Sequence, residues 1–235
     1  MLIAAVGDVH SPRYYEEFVL ALDRLNAKPD FFLIAGDMIN RGEIKEYDRV
    51  YNALFGKITC PIIACFGNNE FQEVRDTVRK KFSEIKFLDD QSIVYQLGRS
   101  TIGIYGTTGG LDTPTPWQKA NIPNIEKIYE DRLINADRQL QRMNANFKIL
   151  LAHYSPTYKT LEGENPRFFS SMGMQAFENV INARKPNLVI HGHSHRGLKM
   201  IWIDTVPVFN VAFSVNKEIV LIDTDKFKPG ITKFL

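Results

Sequence analysis

The sequence predicts an α/β fold, a single domain over residues 1–235 with a largely parallel sheet, and three observations carry that prediction. Short apolar runs recur early in the chain, bounded by Gly, Asp or Pro; helical patterns separate them; and several of these runs end in a side chain able to bind a metal. Apolar runs of strand length with helices between them describe strand–helix–strand units.

The elements follow in order. LIAAVG (2–7) precedes a helix around 14–27, DFFLIAG (30–36) precedes a helix around 43–56, and PIIACFG (61–67) precedes a helix or turn near 70–81. SIVYQL (92–97) and TIGIYG (101–106) stand too close for a helix between them and read as an antiparallel hairpin. Alternation resumes with a helix near 125–145, FKILLAH (147–153), a helix near 172–184 and NLVIHGHSH (187–195). LKMIWI (198–203), VPVFNV (206–211) and EIVLID (218–223) add further β-structure. Segments 106–124 and 154–170 read as long loops, and loops of that length in a compact domain are more often functional than idle.

Composition narrows the function classes. A chain of 235 residues with 44% hydrophobic residues can bury one substantial core. The formal charge of +2, with no dense Lys/Arg block, gives no call for a general nucleic-acid tail, so nucleic acid is a possible partner that nothing indicates. Cys60 and Cys65 lie on one expected strand and read as reduced core thiols, not as a disulfide or zinc knuckle. MLIAAVGDVH lacks a basic leader region and a cleavage site, and no run approaches the ~20 apolar residues of a membrane span. The expectation is a cytoplasmic protein without membrane contact, its oligomeric state open.

The polar residues fall where the expected strands end: Asp8 and His10 after the first, Asp37 after the second, Asn68 after the third, His153 after the fourth, His193 and His195 after the fifth. Ligands of open α/β sheets bind at the carboxyl edge, so these groups are expected to converge on one sheet edge. Singly each has a plainer reading, Asp8 and Asp37 as helix caps, Asn68 as a turn residue, His153 as a core histidine. Seven N/O donors exceed what one tetrahedral ion needs and suit two divalent cations around a shared carboxylate, with Asp37 the natural bridge. Two acidic ligands leave such a centre positive, which favours a phosphate oxyanion, and imidazole with oxygen donors points to Mn, Fe, Co, Ni or Zn.

In order, GDVH, GDMINRG, GNNE, AHYSP and GHSH resemble the signature blocks of the calcineurin-like metallophosphoesterases, over nearly the whole chain, with a length like the compact prokaryotic members. The resemblance implies a four-layer α/β/β/α sandwich with mixed sheets and a dinuclear centre. It implies one metal on Asp8, His10, Asp37 and His195, a second on Asp37, Asn68, His153 and His193, and a metal-bound hydroxide attacking phosphorus in line. Gly67 reads as the residue that lets the strand turn sharply to aim Asn68. Asn69 departs from the pattern, since many members carry there the histidine that protonates the leaving alkoxide. Asn40 stands where the protein phosphatases of the superfamily place the aspartate orienting that histidine. Asn69 and Asn40 therefore occupy catalytic positions as an amide pair unable to deliver a proton, while Arg41, with Asn69, is the candidate phosphate contact.

Loss of a general acid, worth roughly 10²–10⁴ in rate, penalises alkyl monoesters most, so phosphodiesters of small molecules are the expected substrates. His191 and Tyr154 are alternative proton sources, His191 also a candidate core residue. Trp117, Lys119, Lys159 and Arg167 in the two long loops either recognise the group beyond phosphorus or are solvated. A nuclease and a non-catalytic metal-binding scaffold are the competing readings, the scaffold opposed by the complete ligand set.

Overall fold

A computed structural model describes residues 1–227. In chain order the strands are β1 (Leu2–Val6), β2 (Phe31–Ala35), β3 (Ile62–Cys65), β4 (Ile85–Leu88), β5 (Gln91–Leu97), β6 (Ser100–Thr107), β7 (Phe147–Ala152), β8 (Leu188–His191), β9 (Met200–Ile203), β10 (Val206–Asn210) and β11 (Val220–Asp223). The helices are α1 (Tyr15–Asp23), α2 (Ile44–Leu54), α3 (Gln72–Lys81), α4 (Pro116–Asn121), α5 (Ile125–Arg142), α6 (Phe177–Arg184) and α7 (Phe213–Asn216).

The strands form two mixed sheets, in the orders β11-β1-β2-β3-β4 and β5-β6-β7-β8-β10-β9. Within the first, β1 to β4 run parallel and β11 returns antiparallel to β1; within the second, β6, β7, β8 and β10 run parallel, flanked by antiparallel β5 and β9. The apolar runs lack alternation because both faces of the central strands are buried. Ile3, Leu33 and Ile63 face Ile104, Ile149 and Leu151 between the sheets. Their neighbours Ala4, Phe32 and Ala64 pack outward against Phe18 of α1, Val50 of α2 and Val78 of α3. On the far side Tyr105, Leu150 and Val189 pack against Leu140 of α5 and Ile181 of α6. Each buried Leu, Ile, Val or Phe among them contributes about 1.5–3 kcal/mol by leaving water. The layers are therefore α/β/β/α.

Several expectations change. The strands carrying the candidate ligands belong to two stacked sheets, β1, β2 and β3 in one and β7 and β8 in the other, so the donors line two edges instead of one. The short β4, whose Lys86 is exposed, carries too little apolar pattern to be read as a strand. Segment 106–124 contains α4, opened by a reciprocal Thr115–Gln118 capping box. Segment 154–170 contains 3-10 turns at Lys159–Leu161 and Pro166–Ser171, and α6 starts only at Phe177. No helix among the described residues is long and apolar enough to cross a membrane.

Candidate metal centre

All seven candidate ligands stand just past the carboxyl ends of β1, β2, β3, β7 and β8. The chain is bent hard there. Asp8, His10, Asp37 and His193 take φ values of 56, 48, 51 and 67°, and Arg41 takes 48°. Side chains other than glycine rarely occupy this left-handed region, at a cost of about 1–3 kcal/mol each. Bonds between the loops hold it: Asp8 N–H donates to Gly36 O and His10 N–H to Asp37 O, both at 3.0 Å, and His193 N–H donates to Asp8 Oδ2 at 2.8 Å.

Gly67 serves these loops by its size rather than by a left-handed turn. A Cβ on it would lie 2.1 Å from Asp37 Oδ1 and 2.5 Å from Asp37 N, so only glycine lets the end of β3 pass the candidate bridging carboxylate. A Cβ on Gly36, at φ 79°, would lie 2.5 Å from Gly67 N.

Two donor groups result, Asp8 with His10 and His195, and Asp37 with His153 and His193, the donor atoms of each lying within 4.8 Å of one another. His195 Nε2 is 3.1 Å from Asp8 Oδ1 and 3.3 Å from His10 Nε2. Asn68 Oδ1 is 3.0 Å from His153 Nε2 and joins the second group. Asp37 Oδ2 is 3.9 Å from His10 Nε2 and 3.5 Å from His153 Nε2, placing one oxygen between the groups. Donors bound to one ion at about 2.0–2.2 Å stand about 3.0–3.5 Å apart, so the residues present fit divalent cations. The ring orientations also fit, because His153 Nδ1 lies 2.9 Å from the Ala35 carbonyl and His10 Nδ1 3.0 Å from Asn40 Oδ1. Nδ1–H donors at those contacts leave each Nε2 lone pair facing its group.

Electrostatics follow from this crowding. Burial opposes charge on Asp8, yet hydrogen bonds from His10 and His195 hold its carboxyl well below the usual carboxylate range. Burial likewise opposes charge on His10, but contact with Asp8 and the Asp37 charge raise it to about 9. Burial above all pushes His193 well below the imidazole range, into the neutral ligating form.

The acidic residue of GNNE escaped the sequence reading. Glu70 is 1% exposed. Its Oε2 accepts from Gly67 N and Asp37 N and its Oε1 from Met38 N, all at 2.8 Å, with Ile39 N at 3.4 Å. Arg75 completes the lock, donating to the Glu70 and Gly67 carbonyls at 3.0 and 3.2 Å. The sequence shows it only as a carboxylate three residues past a strand-ending glycine, because its partners are backbone groups.

The amide pair is divided. Asn40 Nδ2 donates to the His10 carbonyl at 3.1 Å while its Oδ1 meets His10 Nδ1, so Asn40 serves His10. Asn69 instead donates to Asp37 through both its backbone and its side chain, and its Oδ1 accepts from Arg41 N at 3.2 Å. The Arg41 side chain is exposed and has no ion-pair partner among the described residues. The alternative proton sources are enclosed: His191 is 0% exposed, and Tyr154 is 4% exposed with its hydroxyl accepting from Gln118 Nε2 at 3.1 Å. Burial drives the Tyr154 hydroxyl pKa well above 10. Lys119 pairs with Glu126 and Lys159 with Glu178, while Trp117 and Arg167 are exposed.

A family profile described as calcineurin-like phosphoesterase matches residues 1–197. A probable cyclic nucleotide phosphodiesterase of Rhodopseudomonas palustris is 26% identical over 195 residues, which is 80% of this chain and 65% of that relative's length. Phosphopantetheinyl hydrolase from Mycobacterium tuberculosis superposes with a TM-score of 0.70 at 15% identity, over 97% of this chain and 98% of that one. A Thermus thermophilus structure gives a TM-score of 0.66 at 17% identity, over 97% and 96% of the two chains. At such identities these structures speak for the fold alone. The profile covers far more than half of the chain, and the motif blocks inside it supply the two donor groups: this chain belongs to the calcineurin-like phosphoesterases.

Proposed function

We propose that the chain is a phosphodiesterase of small phosphate esters, working through two divalent transition-metal ions. The observation that carries this reading is Asp37 Oδ2, within 4 Å of an imidazole from each donor group. Asp8, His10, Asp37 and His195 would hold one ion and Asp37, Asn68, His153 and His193 the other, with Mn, Fe, Co, Ni or Zn suited to these imidazole and oxygen donors. When bound, the ions supply Lewis acidity toward phosphoryl oxygens and a lowered pKa for water.

The chain's own residues set the preference. Asn69 ties the bridging carboxylate to the Arg41 loop, and Arg41 offers a planar, permanently charged fork to a phosphoryl oxygen. Asn40 holds the His10 ring. With amides at positions 40 and 69, diesters should be hydrolysed faster than alkyl monoesters. The name of the Rhodopseudomonas palustris relative supports diester chemistry. We also place the protein in the cytoplasm, in keeping with free thiols at Cys60 and Cys65.

The test is hydrolysis of bis-p-nitrophenyl phosphate against p-nitrophenyl phosphate after stripping and reloading with Mn²⁺, Fe²⁺, Ni²⁺, Co²⁺ or Zn²⁺, with His193→Ala as control. Faster, metal-dependent diester turnover that the variant loses is expected. Preference for the monoester would sink the specificity, and no turnover with any metal would sink the enzyme.

A further inference from the structure

Among the described residues, none of the side chains weighed as proton donors for a leaving group is free to act, and that bears on which bond the site cleaves. Asn69 is consumed by three hydrogen bonds, two to Asp37 and one from Arg41 N. Glu70 is buried and receives four backbone N–H groups. His191 and Tyr154 are enclosed, and the other four histidines belong to the candidate ligand set. What the rim does offer is the exposed guanidinium of Arg41, on a loop fixed beside the bridging carboxylate by Asn69. Arginine donates hydrogen bonds but does not give up its proton.

Leaving-group chemistry then decides. An alkoxide departing unprotonated is the conjugate base of an acid about as weak as water, pKa about 15.7. A phosphate monoester departing from a P–O–P linkage has a pKa of about 6 and leaves as a stable anion. It also carries charge for a guanidinium to pair with.

We propose that the site cleaves phosphoanhydride linkages, so that its substrates are organic diphosphate diesters of the nucleoside-diphosphate type; this rests on the phosphodiesterase reading above. Water adds to one phosphorus, the bond from that phosphorus to the bridging oxygen breaks, and the second phosphate leaves with the electron pair. Two phosphate monoesters form, and the protons of water pass to solvent. Arg41 pairs with the departing phosphate.

The metal-reloaded full chain is assayed on diadenosine diphosphate, 3′,5′-cyclic AMP and bis-p-nitrophenyl phosphate. A kcat/KM for diadenosine diphosphate about 100-fold or more above that for cyclic AMP is expected, since a missing general acid costs roughly 10²–10⁴. A smaller preference, with bis-p-nitrophenyl phosphate still cleaved, overturns the anhydride assignment and leaves the phosphodiesterase standing. No turnover of bis-p-nitrophenyl phosphate overturns both. Binding gives an independent readout: calorimetry with α,β-methylene-ADP should show affinity at least tenfold weaker in Arg41→Ala. Equal affinity in the two proteins overturns the role given to Arg41.

Discussion

Asn69 holds both oxygens of Asp37, its backbone N–H donating to Oδ1 and its side-chain amide to Oδ2, each at 2.7 Å. The two donors fix the plane of the carboxylate that stands between the two candidate metal-ligand groups. An amide here thus takes a positional role in exchange for an acidic one.

Asn69→His should restore a proton donor while removing a hydrogen bond to a charged acceptor, worth about 1.5–3 kcal/mol. The expected result is a rise of roughly tenfold or more in kcat/KM for β-glycerol phosphate relative to bis-p-nitrophenyl phosphate, with a lower melting temperature. Adding Asn40→Asp should bring no further gain, because position 40 faces His10 and a carboxylate would set an oxygen against the His10 carbonyl, 3.1 Å from the present Nδ2. A double variant clearly better than Asn69→His would show that position 40 reaches the new imidazole after all.

Glu70→Gln keeps the shape of the buried side chain and turns an acceptor toward a donor at one end. Oε2 serves both Gly67 N and Asp37 N and Oε1 serves Met38 N, so either amide orientation sets an NH₂ against a backbone N–H. A buried charged acceptor lost in this way costs about 3 kcal/mol. Denaturant unfolding should show that loss, and the metal content should fall with it because Asp37 depends on the lock. Unchanged metal stoichiometry in a destabilised variant would make Glu70 a purely structural residue.

The candidate ligands could be picked out because a strand–helix–strand repeat and a polar residue after each apolar run both leave marks in one dimension. That β7 and β8 belong to a different sheet from β1, β2 and β3 was not, since buried strands read alike in either sheet. Asn40 was legible as a residue and not as a contact: its partner His10 lies thirty positions away and depends on the strained bend at Asp37. Glu70 was hidden for a similar reason, its four donors being backbone groups that no side-chain pattern reports.

Gly67→Ala tests close approach against backbone freedom. A Cβ there would sit 2.1 Å from Asp37 Oδ1, so the carboxylate must move, and overpacking of this kind costs about 1–3 kcal/mol. Bound metal per chain should drop on reloading. Gly56→Ala is the comparison, because its φ of 75° strains any side chain but no atom lies within 4 Å. It should lower stability by about 1 kcal/mol and leave metal binding intact. Equal metal loss in both variants would point to general destabilisation instead of a displaced Asp37.

The metal-free protein should couple ion binding to pH through His10. Its pKa of about 9 means that the folded, metal-free chain carries this imidazole protonated at neutral pH, against Asp8 and Asp37. A raised pKa contributes stability that is full below the ordinary value of 6.5 and is lost as pH rises through 9. That rise corresponds to about 3 kcal/mol, and the lowered Asp8 carboxyl reports the same contact from its other end, so the two are not added. A cation entering the Asp8–His10–His195 group must displace the proton, so affinity should climb with pH up to about 9. Calorimetric titration at pH 7 in two buffers of different ionisation enthalpy should therefore find about one proton released per chain at this group, falling away above pH 9. His10→Gln should abolish that release and weaken the site. Proton release that survives the substitution would assign the titrating group elsewhere in the centre.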